Sequence, residues 1–324
     1  MTAIEVLVLK GAMPSSVAIT LDVLATANRL RAAAGLPPAF EVALAGSGAR
    51  AARAMAPRVP LSTGARAELI IVPGLGLTSE ALLDTGLKRR DVVAAGKRIA
   101  AAAAAGSAIA ASCSSVFLLA QAGVLAGRRA TTTWWLAPVF RRYFPDIRLD
   151  TDALIVGDGP ITTAGAAMAQ MDLMLALVAR HAGPALADRC ARYLLLDERR
   201  SQAPFMALAL LAASDDRVAK AQAWAREHLI DGVSVDALAA AAGLAPRTFA
   251  RRVERVTGLS PVRFLQRLKV ERAVELMETT RLPFEEIARQ VGYAEPSTLR
   301  RLLRKEGGAG PRELRARIDH RQAA

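Results

Sequence analysis

Two glycine-broken helix pairs in the last hundred residues constrain this chain more than any other feature. The first covers residues 234–261, SVDALAAAAGLAPRTFARRVERVTGLSP, and the second residues 282–311, LPFEEIARQVGYAEPSTLRRLLRKEGGAGP. In each, a short apolar helix ends at a glycine, Gly243 or Gly292, and a helix dense in arginine follows. Glycine permits the left-handed backbone of a tight turn. A helix leaving such a turn with outward basic side chains has the geometry that enters a DNA major groove. The spacing predicts two helix-turn-helix motifs in one all-α region.

Helical periodicity assigns the faces. In the first motif Leu238 and Ala242 point inward, as do Phe249 and Val253, four residues apart. Arg247, Ala250 and Arg251 then face outward near the helix start, where base edges are reached. Arg252 and Arg255 lie to the sides and suit phosphates. In the second motif Ile287 and Val291 pack inward, and a helix over 295–305 buries Leu299, Leu302 and Leu303. Ser297, Arg300 and Arg301 turn outward, and Arg304 completes the set expected to meet DNA. A helix over about 262–278, with Leu265, Leu268 and Leu276 inward, joins the motifs.

Charge agrees with this division. The chain of 324 residues carries a net charge of +13. Residues 217–324 hold 21 basic and 13 acidic side chains, against 22 and 17 in residues 1–216, so the smaller part is the more basic per residue. That is the expected footprint of a polyanion-binding module. Two cysteines, Cys113 and Cys190, are too few for a disulfide framework. His181, His228 and His320 are scattered, so no metal site is expected. The N-terminus reads as a strand rather than a leader. The uncharged stretch 99–127 reads as helix–strand–helix through a soluble core rather than a membrane span. The expected location is the cytoplasm.

The first two-thirds alternate apolar strands (4–9, 40–45, 68–72, 107–111, 130–133, 153–156 and 161–164) with helices near 17–34, 87–105, 114–122, 134–143 and 168–181. Strands that are apolar throughout, alternating with helices, predict an α/β domain with a mostly parallel sheet flanked by helices, followed by the all-α domain with its two motifs. The charged stretch LDERRSQAP at 196–204 marks a junction. The expected domains are 1–205 and 215–320, the second opening with a helix over 215–228. The strand at 107–111 runs into Ser112-Cys113-Ser114-Ser115 and then an apolar helix. A nucleophilic residue at such a sharp turn is a nucleophile elbow, where a helix N-terminus is expected to lower a thiol pKa.

The C-terminal segments RTFARRV, TGLSPVRFLQRLKVERAVELM and PFEEIARQVGYAEPSTLRRLLRK closely resemble the AraC/XylS family of transcription regulators, over residues 217–315. The resemblance implies that both arginine-rich helices enter successive major-groove segments on one DNA face. It places base contacts at Arg247, Ala250, Arg251, Ser297, Arg300 and Arg301. One departure is GAGPRELR, with Leu314 where that family usually has an aromatic, which predicts looser packing at the end.

The N-terminal segments VPGLGL, GRRATTTWW and DGPITTAGAAMAQMDLML, with the elbow, resemble the PfpI/ThiJ-like fold related to class I glutamine amidotransferases, over residues 3–195. The combination is similar to the GlxA-type branch of regulators. Active members of the fold imply a first-helix carboxylate or a histidine base beside the thiol. Ser16 stands at the expected carboxylate position, Asp22 lies two turns on, and Trp134 and Trp135 follow Thr133 where a histidine is frequent. The expectation is an inactive site reused as a ligand pocket walled by Ser16, Pro73, Gly74, Cys113, Ser114, Thr133, Trp134 and Gly165. Tryptophan faces can hold quaternary ammonium groups, although buried core tryptophans are commoner. A structural role and a catalytic role for Cys113 are the alternatives, in that order, and Cys190 is expected in the core.

The sequence thus predicts a transcription regulator, not an enzyme, controlled by a small molecule. Its expected partners are double-stranded DNA, an effector of unknown identity and a second copy of the chain, with RNA polymerase a further candidate. No cofactor and no membrane partner is expected. The competing expectation is a Cys113-dependent amidase or hydrolase with an accessory DNA-binding module.

Overall fold

The computed structural model describes residues 1–197, 199, 201–307 and 309–316. The chain divides into two compact units, one ending at Gln202 and one beginning at Ala203.

The first unit is built on strands β1 (Thr2–Leu7), β2 (Phe40–Ala45), β3 (Leu69–Val72), β4 (Ala108–Ser112), β5 (Arg129–Ala130), β6 (Arg148–Leu149), β7 (Ile155–Asp158) and β8 (Ile161–Ala164). Six of them form a sheet in the order β2-β1-β3-β4-β8-β7. Its pairings are parallel except the β7–β8 hairpin. Its helices are α1 (Pro14–Ala33), α2 (Ala49–Met55), α3 (Glu80–Gly86), α4 (Arg90–Ala104), α5 (Ser115–Gln121), α6 (Ala137–Tyr143), α7 (Ala169–Ala182) and α8 (Pro184–Tyr193). The continuous apolar run of β3 shows why both faces must be covered. Leu69 and Ile71 enter one core with α1, α7 and α8, whereas Ile70 and Val72 enter the other with α4, α5 and α6. Cys190, on α8, is fully buried in the first of these cores. The α/β architecture expected from the alternating pattern is therefore present.

Some local expectations change. The strand expected over 130–133 stops at Ala130, where β5 pairs with β6. The Thr131 N–H is taken by Thr163 Oγ1 at 2.9 Å, and Thr132 Oγ1 donates to the Cys113 carbonyl at 2.8 Å. These side-chain bonds draw the backbone out of a ladder. The helix expected from residue 87 begins at Arg90 and is preceded by α3, whose Ser79 cap accepts the Leu82 N–H. The amphipathic stretch that carries Cys190 is helical as expected: Gly183, at φ +94°, reverses the chain and Pro184 opens α8. Residues 99–127 do form helix, strand and helix, and no helix among the described residues is long and apolar enough to cross a membrane.

The second unit is all helical: α9 (Leu208–Ala212), α10 (Asp216–His228), α11 (Val235–Ala241), α12 (Pro246–Thr257), α13 (Pro261–Thr279), α14 (Phe284–Gln290) and α15 (Pro296–Gly307). Asp215, Ser234 and Ser260 cap α10, α11 and α13 by accepting N–H bonds in the first turn. The pairs α11–α12 and α14–α15 turn at Gly243 (φ +65°) and Gly292 (φ +73°). At Gly292 a Cβ would stand 2.3 Å from the Leu229 carbonyl oxygen, so both conformation and space demand glycine. The second pair has its own core of Ile287, Ala288, Val291, Leu299, Leu302 and Leu303 against Val270, Ala273, Leu276 and Met277 of α13. Leu314 packs against this core, so the leucine in place of an aromatic does not leave the end unpacked.

Candidate nucleic-acid interface and elbow site

Helix α12 starts at Pro246, whose fixed φ suits a first turn. Its core side is Phe249, Val253 and Val256, all buried. Arg247 and Arg251 are consequently exposed and Ala250 half-buried. Arg252 and Arg255, expected at phosphates, are engaged within the protein. Arg252 Nη1 lies 2.9 Å and Arg255 Nη2 3.2 Å from the same carboxylate oxygen of Asp215. Burial raises the Asp215 pKa, but the Val218 N–H and Arg252 outweigh it and hold the carboxyl below its ordinary range. Asp215 therefore caps α10 and binds the side of α12 at once, and in this structure it offsets part of the charge those two arginines would offer to DNA.

On α15, Leu299, Leu302 and Leu303 are buried, which leaves Ser297, Arg301 and Arg304 exposed. Arg300 is half-buried, its guanidinium 5.3 Å from the centre of the Phe284 ring. That contact links the start of the helix pair to its arginine-rich helix. Two supports were not anticipated from the sequence. Glu306 accepts from Arg267 at 2.8 Å and Arg263 at 3.1 Å, joining α15 to α13. Burial raises the Glu306 pKa, and the two guanidiniums outweigh it and hold the carboxyl low. Lys269, buried and with its pKa pushed down by that burial, donates to the Gly292 carbonyl at 3.1 Å and lies 4.5 Å from the Tyr293 ring centre. It fastens the second turn to α13. Periodicity gives no signal for a buried lysine or glutamate, because each is stabilised only by residues far away in the chain.

In the first unit, Cys113 occupies the turn between β4 and α5 at φ +54°, a left-handed conformation that a non-glycine residue rarely adopts. The elbow expected from the sequence is thus formed. Gly74 sits against it: a Cβ there would stand 3.3 Å from both Cys113 Cβ and Ser16 Oγ, and 4.0 Å from Cys113 Sγ. Ser16, Gly74 and Cys113 therefore converge. Ser114 Oγ accepts the Leu77 N–H at 3.2 Å, and Ser115 Oγ donates to the Pro73 carbonyl, locking the Pro-Gly loop onto the elbow. The hydroxyls of Ser16 and Thr133 are buried without a hydrogen-bond partner.

The structure corrects the expected thiol chemistry. Burial pushes the Cys113 pKa up, and the Ser114 and Thr133 contacts that lower it do not compensate. The seven-residue α5 does not outweigh the loss of solvent. Asp22 is exposed on α1, whereas the thiol is buried. His181 feels Glu68, just before β3, and so belongs to the opposite end of the strands. His228 stacks on Trp224 in the second unit, and His320 lies outside the described residues.

All eight expected pocket residues are buried. Trp134 meets Trp135 edge to face, with ring centres 5.3 Å apart, and Trp135 Nε1 donates to the Thr78 carbonyl at 3.2 Å. Gly165 accepts the Cys113 N–H on its carbonyl at 2.8 Å, and the space beside its α-carbon is filled by Gln202. Gln202 is a site residue the sequence did not flag, since it lies in a stretch read as a junction.

Residues 238–317 match the family model of the helix-turn-helix domain. The HTH-type transcriptional activator RhaS of Escherichia fergusonii is 34% identical over 102 residues, which cover 32% of this chain and 37% of that protein. RhaS of an Enterobacter species is 32% identical over 105 residues, covering 32% and 38%. The chain thus spans under two-fifths of the length of the curated relatives it matches. Among solved structures, an AraC family transcriptional regulator from Pseudomonas putida is 24% identical, covering 60% of this chain and 100% of that one with a TM-score of 0.45. DJ-1beta of Drosophila melanogaster is 19% identical, covering 61% and 100%, with a TM-score of 0.44. The DNA-binding domain of AdpA, solved with a target DNA, is 36% identical, covering 32% and 95%, with a TM-score of 0.31. The second unit contains a helix-turn-helix domain of the AraC type.

Proposed function

We propose that this chain is a sequence-specific, DNA-binding transcription regulator whose first unit responds to a small molecule held near the elbow. The observation that carries it is the pair of helix-turn-helix motifs in one unit, each with an exposed basic face: Arg247 and Arg251 on α12, Ser297, Arg301 and Arg304 on α15. Exposed arginines at a recognition helix suit bidentate contacts to guanine edges. Arg252, Arg255 and Arg300 orient the helices through Asp215 and Phe284, and exchange those partners for DNA only at the cost of these contacts. The proposal includes cytoplasmic location, a homodimer that gains affinity from two half-sites, and contact with RNA polymerase.

Selection of bound duplexes from a random-sequence pool tests this reading. Enrichment of one motif by the wild-type chain supports it, and a pool that stays random contradicts it.

The left-handed Cys113 turn favours a second reading, a Cys113-dependent amidase or hydrolase. The raised thiol pKa and the serine at position 16 weigh against it. Hydrolysis of glutamine and model amides by the wild-type chain, lost in Cys113→Ser, would support that reading instead.

A further inference from the structure

We propose that Gln202 is a built-in ligand of the first unit: its carboxamide fills a slot suited to primary amides and ureas, and an effector with such a head group releases the connector by displacing it. The inference rests on the regulator reading above and names the chemistry of its response.

Gln202 is the last residue of the first unit and is 2% exposed. Burying a primary amide is costly unless its polar atoms are paired. Here Nε2 donates to the Thr132 carbonyl at 3.0 Å, Thr131 Oγ1 at 3.2 Å and the Ala153 carbonyl at 3.4 Å. Oε1 accepts the Ala166 N–H at 3.3 Å. The backbone N–H of Gln202 adds a bond to the Asp152 carbonyl at 3.1 Å, beside a bridge between Ser201 and Ala153. Gly165 makes the room: a Cβ on it would stand 2.4 Å from Oε1.

The slot and the elbow share their walls. The Gly165 carbonyl accepts the Cys113 N–H at 2.8 Å, and Thr132 Oγ1 donates to the Cys113 carbonyl at 2.8 Å. Segments 131–132 and 165–166 are therefore gripped by Cys113 on one side and Gln202 on the other. Movement of either segment reaches the residue that leads directly into the second unit. Arg199, whose guanidinium pairs with the buried Asp172, is the preceding anchor.

The donor and acceptor pattern selects the ligand class. Three acceptors face the NH2 and one donor faces the oxygen. A carboxamide or urea matches both ends. A carboxylate presents oxygen to two carbonyls and is repelled.

The test is tryptic cleavage at Arg199 in the full chain, using acetamide and acetate as probes. Gln202→Ala should be cut severalfold faster than wild type, at a rate that acetamide and acetate leave unchanged. In the wild type, acetamide, but not acetate, should speed cleavage toward the Gln202→Ala rate. Gln202→Glu keeps the volume and removes the donors. It should also release the connector while the first unit melts as in wild type, which separates release from misfolding. Wild-type resistance in both variants, or wild-type cleavage that acetamide speeds no more than acetate does, overturns the proposal. Sequence-specific DNA binding by the wild type is measured on the same samples. Its absence contradicts the regulator reading, whereas intact binding with unaltered cleavage in the variants overturns the amide latch alone.

Discussion

The two units place their polar chemistry on opposite sides of their surfaces. In the helical unit, apolar faces pack inward and the arginines Arg247, Arg251, Arg301 and Arg304 remain exposed. In the α/β unit, Ser16, Cys113, Ser114 and Thr133 gather at one strand end and are buried. A site that meets a large rigid polyanion must be outside before the partner arrives. A site for a small molecule can be enclosed, and there a thiol loses the solvent that stabilises its anion. The contrast teaches that the same handful of polar residues means contact in one unit and occlusion in the other.

The largest expected effect tests whether the units are energetically separate. Phe249→Ala removes a fully buried ring and should cost about 3–5 kcal/mol. Thermal melting should show the helical unit lost, while hydrogen exchange keeps β3 protected. Joint loss of both units would break the comparison.

Glu306 tests whether the inward charges of the helical unit are structural. Glu306→Ala leaves Arg267 buried and unpaired, a change that costs about 3–5 kcal/mol. The folded pKa of Glu306 lies below its ordinary 4.5. Its stabilisation is therefore present above pH 4.5 and lost as pH falls toward the folded value. Urea denaturation across that range should show an acid-side decline in wild type that is smaller in the variant.

A smaller effect sharpens the outward side. Arg251→Ala should cost about 1–3 kcal/mol on the selected sequence. Arg255→Ala, whose guanidinium is shared with Asp215, should weaken selected and random duplexes alike and by less. A binding titration of each variant on both duplexes separates the two behaviours.

The smallest effect belongs to the buried side. Cys113→Ser preserves the elbow's shape and offers a hydroxyl to surroundings that already hold the Ser16 and Thr133 hydroxyls. DNA binding without effector should stay at wild-type level, and only the response to candidate metabolites should change. An unaltered dose–response curve in a promoter assay would remove Cys113 from the proposed ligand site.

What was legible in the sequence was local. Residue pairs four apart identified the buried sides of α12 and α15, and two glycines marked turns whose positive φ is now seen. The elbow was legible because a strand runs into a helix through one nucleophilic residue. What escaped depends on partners distant in sequence. Asp215 meets Arg252 and Arg255 across 37 and 40 residues, and Gln202 meets Thr131 across 71. The thiol pKa escaped for the same reason: burial is a property of the packed unit, not of the turn. Thr131 and Thr132 looked like strand because β-branched residues favour it, yet their hydroxyls serve Ala153 and Cys113 instead.

The central claim is that α12 and α15 read sequence, and one titration tests it most directly. The full chain is bound to its selected duplex and to a scrambled duplex of equal length at one salt concentration, as wild type and as Arg251→Ala. The account predicts that the wild type prefers the selected duplex and that the variant loses about ten- to a hundredfold of that preference while holding the scrambled duplex nearly as well. Equal wild-type affinity for both duplexes, or an equal loss on both in the variant, would contradict it.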